Sequence, residues 1–364
     1  MKILHVIARM NVGGTATYLY NLISGLEVAH VETLLAVGHV PQNELEDHRL
    51  EALNYRRIKD LSRAISPLKD FYAKRELMRV IDEFRPDLIH THTFKAGLLV
   101  RTMKTSIPLI HTFHGHHLYD PDYGRFGKRV LNFVERKLAK KNAKIITIGQ
   151  RVGQELLAAG IGIRSQYQSI SPGVDCPKIS DRNNILKDLR IDGGLNVLWM
   201  GRLTHVKRPE RVVEIARRFP EVNFVVAGDG ELRDSIRSSA PNNLHLVGVR
   251  DSDEMWSIAD IVILTSDSEG MPLTLIEGQM AGVPGIATDV GSVSEIVLDG
   301  ETGFITQVTV DDICKKLTVL VNDSMLRSTM SKKAAARGRD LFSIQQLTSS
   351  HVKVYQEVLE QTTQ

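Results

Sequence analysis

The chain has 364 residues, 42% of them hydrophobic and 24% charged, with a formal net charge of +3. That length predicts two domains with substantial cores, and the balance excludes a disordered or fibrous chain. Cys176 and Cys314 stand far apart in no metal-like spacing, so no disulfide framework is expected and the compartment reads as reducing.

No apolar run approaches the roughly 20 residues that span a bilayer. The start, Met1-Lys2-Ile3-Leu4-His5-Val6-Ile7, is too short for a signal peptide and reads as a strand, so a cytoplasmic protein is expected. The small net charge hides an asymmetry. Residues 1–172 carry 25 lysines and arginines against 16 acidic residues, a balance of +9, which leaves −6 for the rest. A basic first half suits an anionic partner, such as a membrane surface or a phosphorylated acceptor; a merely solvated basic face would look the same.

Residues 2–8 read as the first strand, followed by Asn11-Val12-Gly13-Gly14 and a helix over about 15–26. The paired glycines Gly13 and Gly14 let the backbone come close to a ligand at the helix N-terminus. The third glycine of G-x-G-x-x-G is missing. The next strand, 31–37, ends in Gly38-His39 and not in the acidic residue that would hold a ribose. A dinucleotide-dependent dehydrogenase is therefore disfavoured. Short strands at 88–90 and 109–110, helices at 95–104 and 126–141, and a strand at 144–148 continue a regular βα alternation. That alternation predicts a parallel sheet covered by helices on both faces.

The strand at 109–110 leads into His111-Thr112-Phe113-His114-Gly115-His116-His117. No cysteine or carboxylate adjoins these histidines and no H-E-x-x-H helix is present, so no metal site is assigned. Their place at the end of a strand, where open α/β sheets bind ligands, matters more. The helix beyond carries Arg125, Lys128, Arg129, Arg136, Lys137, Lys140, Lys141 and Lys144 against one acid, Glu135. Leu131, Val134 and Leu138 form an apolar stripe along it. The stripe is read as core with solvated lysines around it, and an anionic membrane surface is the alternative.

Ser171-Pro172-Gly173-Val174-Asp175 and the polar stretch 178–184 mark a domain boundary. The second half opens with a buried strand at 195–200, then Gly201-Arg202-Leu203 and Lys207-Arg208-Pro209. Arg202 and Lys207, past the end of that strand, suit a diphosphate through a planar fork and a compact point charge. A strand at 223–227 ends in Gly228-Asp229-Gly230, a tight turn at which Gly230 is expected to approach the ligand. The next strand, 244–248, leads to Val249-Arg250. Asp251-Ser252-Asp253-Glu254 superficially matches a D-x-D metal motif and is read as a helix start with its cap and first-turn acids.

The organising stretch follows the apolar run 261–264: Ser268-Glu269-Gly270-Met271-Pro272-Leu273-Thr274-Leu275-Ile276-Glu277. Pro272 falls at or near the first helical position, and Gly282 with Pro284 stops the helix. The amides of Leu273, Thr274 and Leu275 are expected to lack intrahelical acceptors and to form an anion site. Glu269 before that site and Glu277 about two turns inside are placed for the hydroxyls of a hexose and of a ribose.

The Glu-Gly-x-Pro opening, the two glutamates, Gly-Arg-Leu with Lys-Arg, the Pro-Gly-Val-Asp turn, Gly291-Ser292-Val293-Ser294-Glu295 and Asp299-Gly300-x-x-Gly303 occur in one order. Together they resemble the retaining GT-B glycosyltransferases of family 4 (glycosyl transferases group 1). The resemblance covers essentially the whole chain, strongly over 195–304 and weakly over about 40–85. It implies an α/β GT-B fold: two Rossmann-like, doubly wound parallel-sheet domains facing across a cleft. The expected division is 1–172 for the acceptor, 173–345 for the nucleotide sugar, and a helix at 346–364 that crosses back to the first domain. Ile344, Leu347, Val354 and Leu359 are expected to supply its buried face.

The resemblance further implies transfer of a hexose or N-acetylhexosamine from a nucleotide diphosphate sugar, most commonly UDP-linked, to an acceptor hydroxyl with retention. His114 would face the donor sugar. Val249 and Arg250 would grip the base, and Gly270, Met271, Pro272 and the helix amides the phosphates. Arg202 and Lys207 would meet the charge of the leaving diphosphate, with no metal and no cofactor needed. The leaving phosphate itself would serve as base. Acceptors would be a glycan, a lipid-linked precursor or a small molecule, at the inner face of a membrane; no nucleic acid is expected. The rival readings are a GT-B epimerase, a phosphorylase, or a catalytically silent nucleotide-sugar-binding protein.

Overall fold

The structure, a computed structural model, describes residues 1–42, 44–115 and 124–363. It divides into two compact units, Met1–Gly173 with Ile344–Gln364, and Val174–Ser343.

The first unit alternates β1 (Lys2–Ile7), α1 (Gly14–Val28), β2 (Glu32–Val37), β3 (Tyr55–Arg57), α2 (Pro67–Phe84), β4 (Leu88–His92), α3 (Thr93–Arg101), β5 (Leu109–Phe113), α4 (Arg125–Ala139), β6 (Lys144–Thr147), α5 (Gln150–Ala158) and β7 (Tyr167–Ser169). Its seven strands are all parallel, in the order β3-β2-β1-β4-β5-β6-β7. β1, β4 and β5 are buried almost end to end, as the interior of a two-faced parallel sheet requires. Right-handed crossovers put α2, α3, α4 and α5 on one face of this sheet and α1 on the other. A buried two-pronged ion pair joins α3 to α4, with Arg101 Nη1 and Nη2 each 2.9 Å from a Glu135 oxygen.

The second unit holds α6 (Arg182–Leu189), β8 (Asn196–Met200), α7 (Pro209–Arg218), β9 (Asn223–Ala227), α8 (Arg233–Ser239), β10 (Leu244–Gly248), α9 (Ser252–Ile258), β11 (Ile261–Leu264), α10 (Leu273–Ala281), β12 (Gly285–Thr288), α11 (Val293–Ile296), β13 (Gly303–Thr306), α12 (Val310–Asn322) and α13 (Ser324–Leu341). Six parallel strands run β10-β9-β8-β11-β12-β13. Val197, Trp199, Phe224, Ile261 and Ile263 of this sheet pack with α7 and α12 into one core. α14 (Ile344–Thr363) then joins the first unit and packs on α1.

Three details depart from the sequence reading. β4 and β5 run on to His92 and Phe113, so His111 and Thr112 lie inside a strand and, among the described residues of that cluster, His114 lies past its end. The weakly patterned stretch 40–85 holds β3 and α2. On α14, Leu347 and Val354 are buried as expected, but Ile344 and Leu359 are only half-buried. His351, Tyr355 and Val358 take their place, because the face that meets α1 and the sheet turns through them.

α14 and α1 approach closely at Gly25, where an added Cβ would lie 2.0 Å from Thr348 Oγ1 and 3.2 Å from Ile344. Helix propensity alone would favour almost any other residue there, but the overlap outweighs it. Gly25→Val should therefore lower the free energy of urea unfolding by about 1–3 kcal/mol, the cost of overpacking. An unchanged midpoint would contradict this packing.

Candidate functional site

β8 and β11 are the neighbours at which the strand order of the second unit reverses, and the candidate residues gather past their carboxyl ends. The loops after the two strands are laced together. Asp267 N donates to Val206 O at 2.9 Å, Thr265 Oγ1 donates to the Lys207 carbonyl at 2.9 Å, and Trp199 Nε1 donates to Thr265 Oγ1 at 3.0 Å. Arg211 adds a bond to Thr265 O and an ion pair with Asp267, each at 2.6 Å.

This lacing sets Lys207 against Glu269. Lys207 Nζ and Ser266 Oγ both lie 2.6 Å from Glu269 Oε1. Oε2 has no hydrogen-bond partner among the described residues, so it stands ready to accept from a hydroxyl. The backbone of Glu269 is braced from behind by Gly291. Its φ is +53°, and an added Cβ would sit 2.1 Å from Glu269 O. Ser292 N then donates to Gly270 O at 2.8 Å.

α10 begins at Leu273 with Pro272 as its cap residue, and Thr274 Oγ1 reaches Met200 O at 3.3 Å. The expected set of open amides needs one correction. Leu275 N donates to Pro272 O at 3.1 Å, because the cap residue's carbonyl already closes a tight first turn. Leu273 and Thr274 keep the open amides, which with the helix dipole still favour an anion. Glu277, half-buried further along α10, accepts from Trp256 Nε1 at 3.1 Å.

Arg202 is exposed and in no ion pair among the described residues. Val249 is exposed, and Arg250 Nε donates to Val247 O at 3.2 Å. Gly230 serves packing before any ligand: a Cβ there would lie 2.6 Å from Leu203 O. Met271 is buried beneath the turn, and Asp251 caps α9 through Asp253 N at 2.8 Å, as a helix start does. Ser266, Trp256 and Thr265 are the residues that the sequence reading did not single out. None belongs to a motif; Trp256 and Thr265 meet their partners across 21 and 66 positions, and Ser266 meets Glu269 three residues on.

In the first unit, Gly13 precedes α1 with nothing within 4 Å of an added Cβ, and Gly14 is the first residue of that helix. His114 is half-buried past β5; His116 and His117 lie outside the described residues. Behind His114 stands a buried group of rings. His92 Nδ1 is 3.2 Å from His114 Nε2, and His5 Nδ1 is 3.1 Å from His92 Nε2. His90 lies 2.7 Å from both Tyr355 Oη and Thr112 Oγ1. Tyr18 Oη lies 3.0 Å from His351 Nε2, and His351 Nδ1 donates to Leu347 O at 2.8 Å. Burial, and then the neighbouring His351, lower His5 and His114 from the ordinary 6.5 to about 3. Burial lowers His351 to about 4 and takes His90 and His92 well below the ordinary value.

The profile of Glycosyltransferase Family 4 matches residues 12–178, and that of Glycosyl transferases group 1 matches residues 181–337. The chain belongs to the family 4 glycosyltransferases. Among relatives of this glycosyltransferase, the Escherichia coli UDP-Gal:alpha-D-GlcNAc-diphosphoundecaprenol alpha-1,3-galactosyltransferase is 28% identical over 294 residues, 75% of this chain and 76% of the relative. Anabaena HepE, crystallised with UDP and glucose, superposes with a TM-score of 0.83 at 18% identity, covering 98% of this chain and 100% of that one. Sucrose-phosphate synthase from Thermosynechococcus elongatus gives 0.85 at 16%, covering 99% and 100%. The fold is GT-B, and the enzyme is a retaining, sugar-nucleotide-dependent glycosyltransferase.

The neutral histidines of this glycosyltransferase tie its stability to pH. Their folded pKa values lie below 6.5, so below that pH the unfolded chain binds protons that the folded chain refuses. Their contribution is complete above about pH 6.5 and is lost as pH falls toward 4, by about 1.4 kcal/mol per pH unit for each histidine. The melting temperature should be level from pH 8 to 7 and fall steeply below 6. A level curve down to pH 4.5 would contradict a neutral cluster.

Proposed function

We propose that this enzyme moves a hexose or N-acetylhexosamine from a UDP-sugar to a hydroxyl of a lipid-linked or cell-surface glycan precursor. The observation that carries this reading is the contact of Lys207 and Glu269 beside the open amides of α10. It sets a cation against a hydroxyl-accepting carboxylate that stands four residues ahead of an anion site. The names of the relatives support the donor and the acceptor class: one uses UDP-Gal and a diphosphoundecaprenol-linked sugar, and HepE binds UDP and glucose.

As the glycosidic bond breaks, charge develops on the departing diphosphate. Lys207, Arg202 and the amides of Leu273 and Thr274 meet that charge more strongly in the transition state than in the ground state. Such donors are worth roughly a few kcal/mol each. With the charge met this way, the step requires no metal. Glu269 holds sugar hydroxyls through Oε2, while Oε1 keeps Lys207 in place. Glu277, oriented by Trp256, holds the ribose. Gly270, Met271 and Pro272 shape the phosphate turn, Val249 and Arg250 border the base, His114 faces the hexose, and Gly13 and Gly14, past the end of β1, belong to the donor-binding set.

The same reading places the enzyme against a membrane through α4. Glu135, the one acid of that helix, is turned inward to Arg101, which leaves an outer face of Arg129, Arg136 and Lys137 with no acid of its own. Phe126, Val130 and Phe133 are exposed between them, at 81%, 46% and 62%. This is a second apolar stripe, distinct from the half-buried Leu131 and Val134 and the buried Leu138. Exposed aromatics among cations fit the interface of an anionic bilayer. Among the described residues no helix is long and apolar enough to cross one.

Two measurements test the proposal. With a UDP-sugar, an acceptor and a chelator present, wild type should turn over, and Lys207→Ala or Glu277→Ala should lose at least about tenfold in kcat/KM while still folding. Wild-type turnover by both variants would remove the assignment. Wild type should also float with anionic liposomes at low salt, and Phe126→Glu with Phe133→Glu should release it. Equal flotation of that double variant would rule out the α4 face.

A further inference from the structure

His5, His92 and His114 come from three neighbouring strands, β1, β4 and the end of β5, and their rings are joined nitrogen to nitrogen. A neutral imidazole has one N–H and one lone pair, and each link needs one of each. The chain therefore has only two arrangements. In one, His5 Nδ1–H donates to His92 Nε2 and His92 Nδ1–H donates to His114 Nε2, so that all three rings carry the proton on Nδ1. In the other every proton is on Nε2 and every bond runs inward.

The buried end decides between them. His5 is fully buried and its Nε2 has no hydrogen-bond partner. The inward arrangement would leave an N–H orphaned there, and the outward one leaves only an unfilled lone pair. Orphaned buried donors are the rarer and costlier of the two. We propose that His5 and His92 are positioning residues that fix the proton of His114 on Nδ1, so that His114 meets its ligand as a neutral N–H donor. His114 Nδ1 has no partner among the described residues, and Tyr18 holds the ring edge-on at 4.7 Å. Tyr18 is itself directed. His351 Nδ1 must donate to the Leu347 carbonyl, so His351 Nε2 accepts and Tyr18 Oη–H donates to it.

A fixed N–H donor demands an acceptor oxygen. Resting on the function proposed above, that oxygen is a hydroxyl of the transferred sugar, read through its lone pairs. His5, His90 and His92 also bring nitrogens within 4.8 Å of one another, a spacing that a metal site requires. Both His90 nitrogens are already engaged by Tyr355 and Thr112, however, and no carboxylate is among the three to offset a buried cation.

Long-range 1H–15N correlation on the histidine-labelled full chain, without substrate, reads the three tautomers directly. All three rings should be Nδ1–H. Rings in differing tautomers, or all Nε2–H, would overturn the proposal, as would added zinc shifting His5, His90 and His92 together. A second pair of variants tests the link to turnover. His92→Gln keeps an N–H for His114 Nε2 and should retain the Nδ1–H form. His92→Met should lose it and raise KM for the donor sugar by about three- to tenfold, with a smaller change in kcat. Equal KM in both variants would overturn the positioning role. If the three tautomers are as expected but no UDP-sugar is turned over, the relay stands and the function proposed for the site fails.

Discussion

The contact between Lys207 and Glu269 is the constraint on which the proposed donor site depends. A free lysine carries about 2 kcal/mol of rotamer entropy, which a bound phosphate would have to overcome. Here one carboxylate oxygen already orders the ammonium, and a serine hydroxyl on the same oxygen orders the carboxylate. That arrangement divides the work within Glu269: one oxygen is structural and the other is left for ligand. It works only because the loops after β8 and β11 are bonded to each other through Thr265, Asp267 and Arg211. A parallel sheet supplies this for a simple reason. Strand order reverses at β8 and β11, so their outgoing loops part company and open a crevice between two fixed walls.

The first unit solves a different problem. β4 carries His90 and His92 buried among other rings, and burial, with the neighbouring histidines, forces them neutral. Neutral rings cannot attract a diphosphate, but they can make directional bonds whose sense is fixed by counting protons. The return of α14 completes this interior by adding His351 and Tyr355 to rings from β1, β4 and α1. One unit thus uses formal charge near its surface, and the other uses uncharged donors and acceptors in its interior.

What was legible in the sequence follows the range of the interaction. Alternating strand and helix signals gave both sheets, and the stretch from Ser268 to Glu277 gave the helix start with its two glutamates, because those features are local. Trp256 meets Glu277 across 21 positions and became visible only with the fold, whereas Ser266 lies three residues before Glu269 and was passed over because it belongs to no motif. The pairing of Tyr18 with His351 joins residues 333 positions apart, beyond any periodicity argument. The missed face of α14 has the same origin: His351 and Tyr355 read as polar in a helix pattern, yet they are buried because partners await them. The error at Leu275 was finer. With Pro272 as the cap residue an ideal α-helix leaves the next three amides open, and a tight bond from Leu275 N to Pro272 O closes the third.

The charge balance carries a last consequence. Residues 173–364 have a net charge of −6, yet on the proposed reading they receive a diphosphate. At physiological salt, fields between exposed charges fade over about 8 Å, so that total says little about what a ligand meets at one site. The local count is what matters: Lys207 is balanced by Glu269, which leaves Arg202 and the dipole of α10 as the uncompensated positive charge. On that reading attraction is short-ranged and directional, and a bare anion gains little without hydroxyls for Glu269 and Glu277 to accept from. The excess of +9 in residues 1–172 follows the opposite logic. It is spread over exposed side chains such as those of α4, where a broad anionic surface can meet many charges at once and a small ligand cannot.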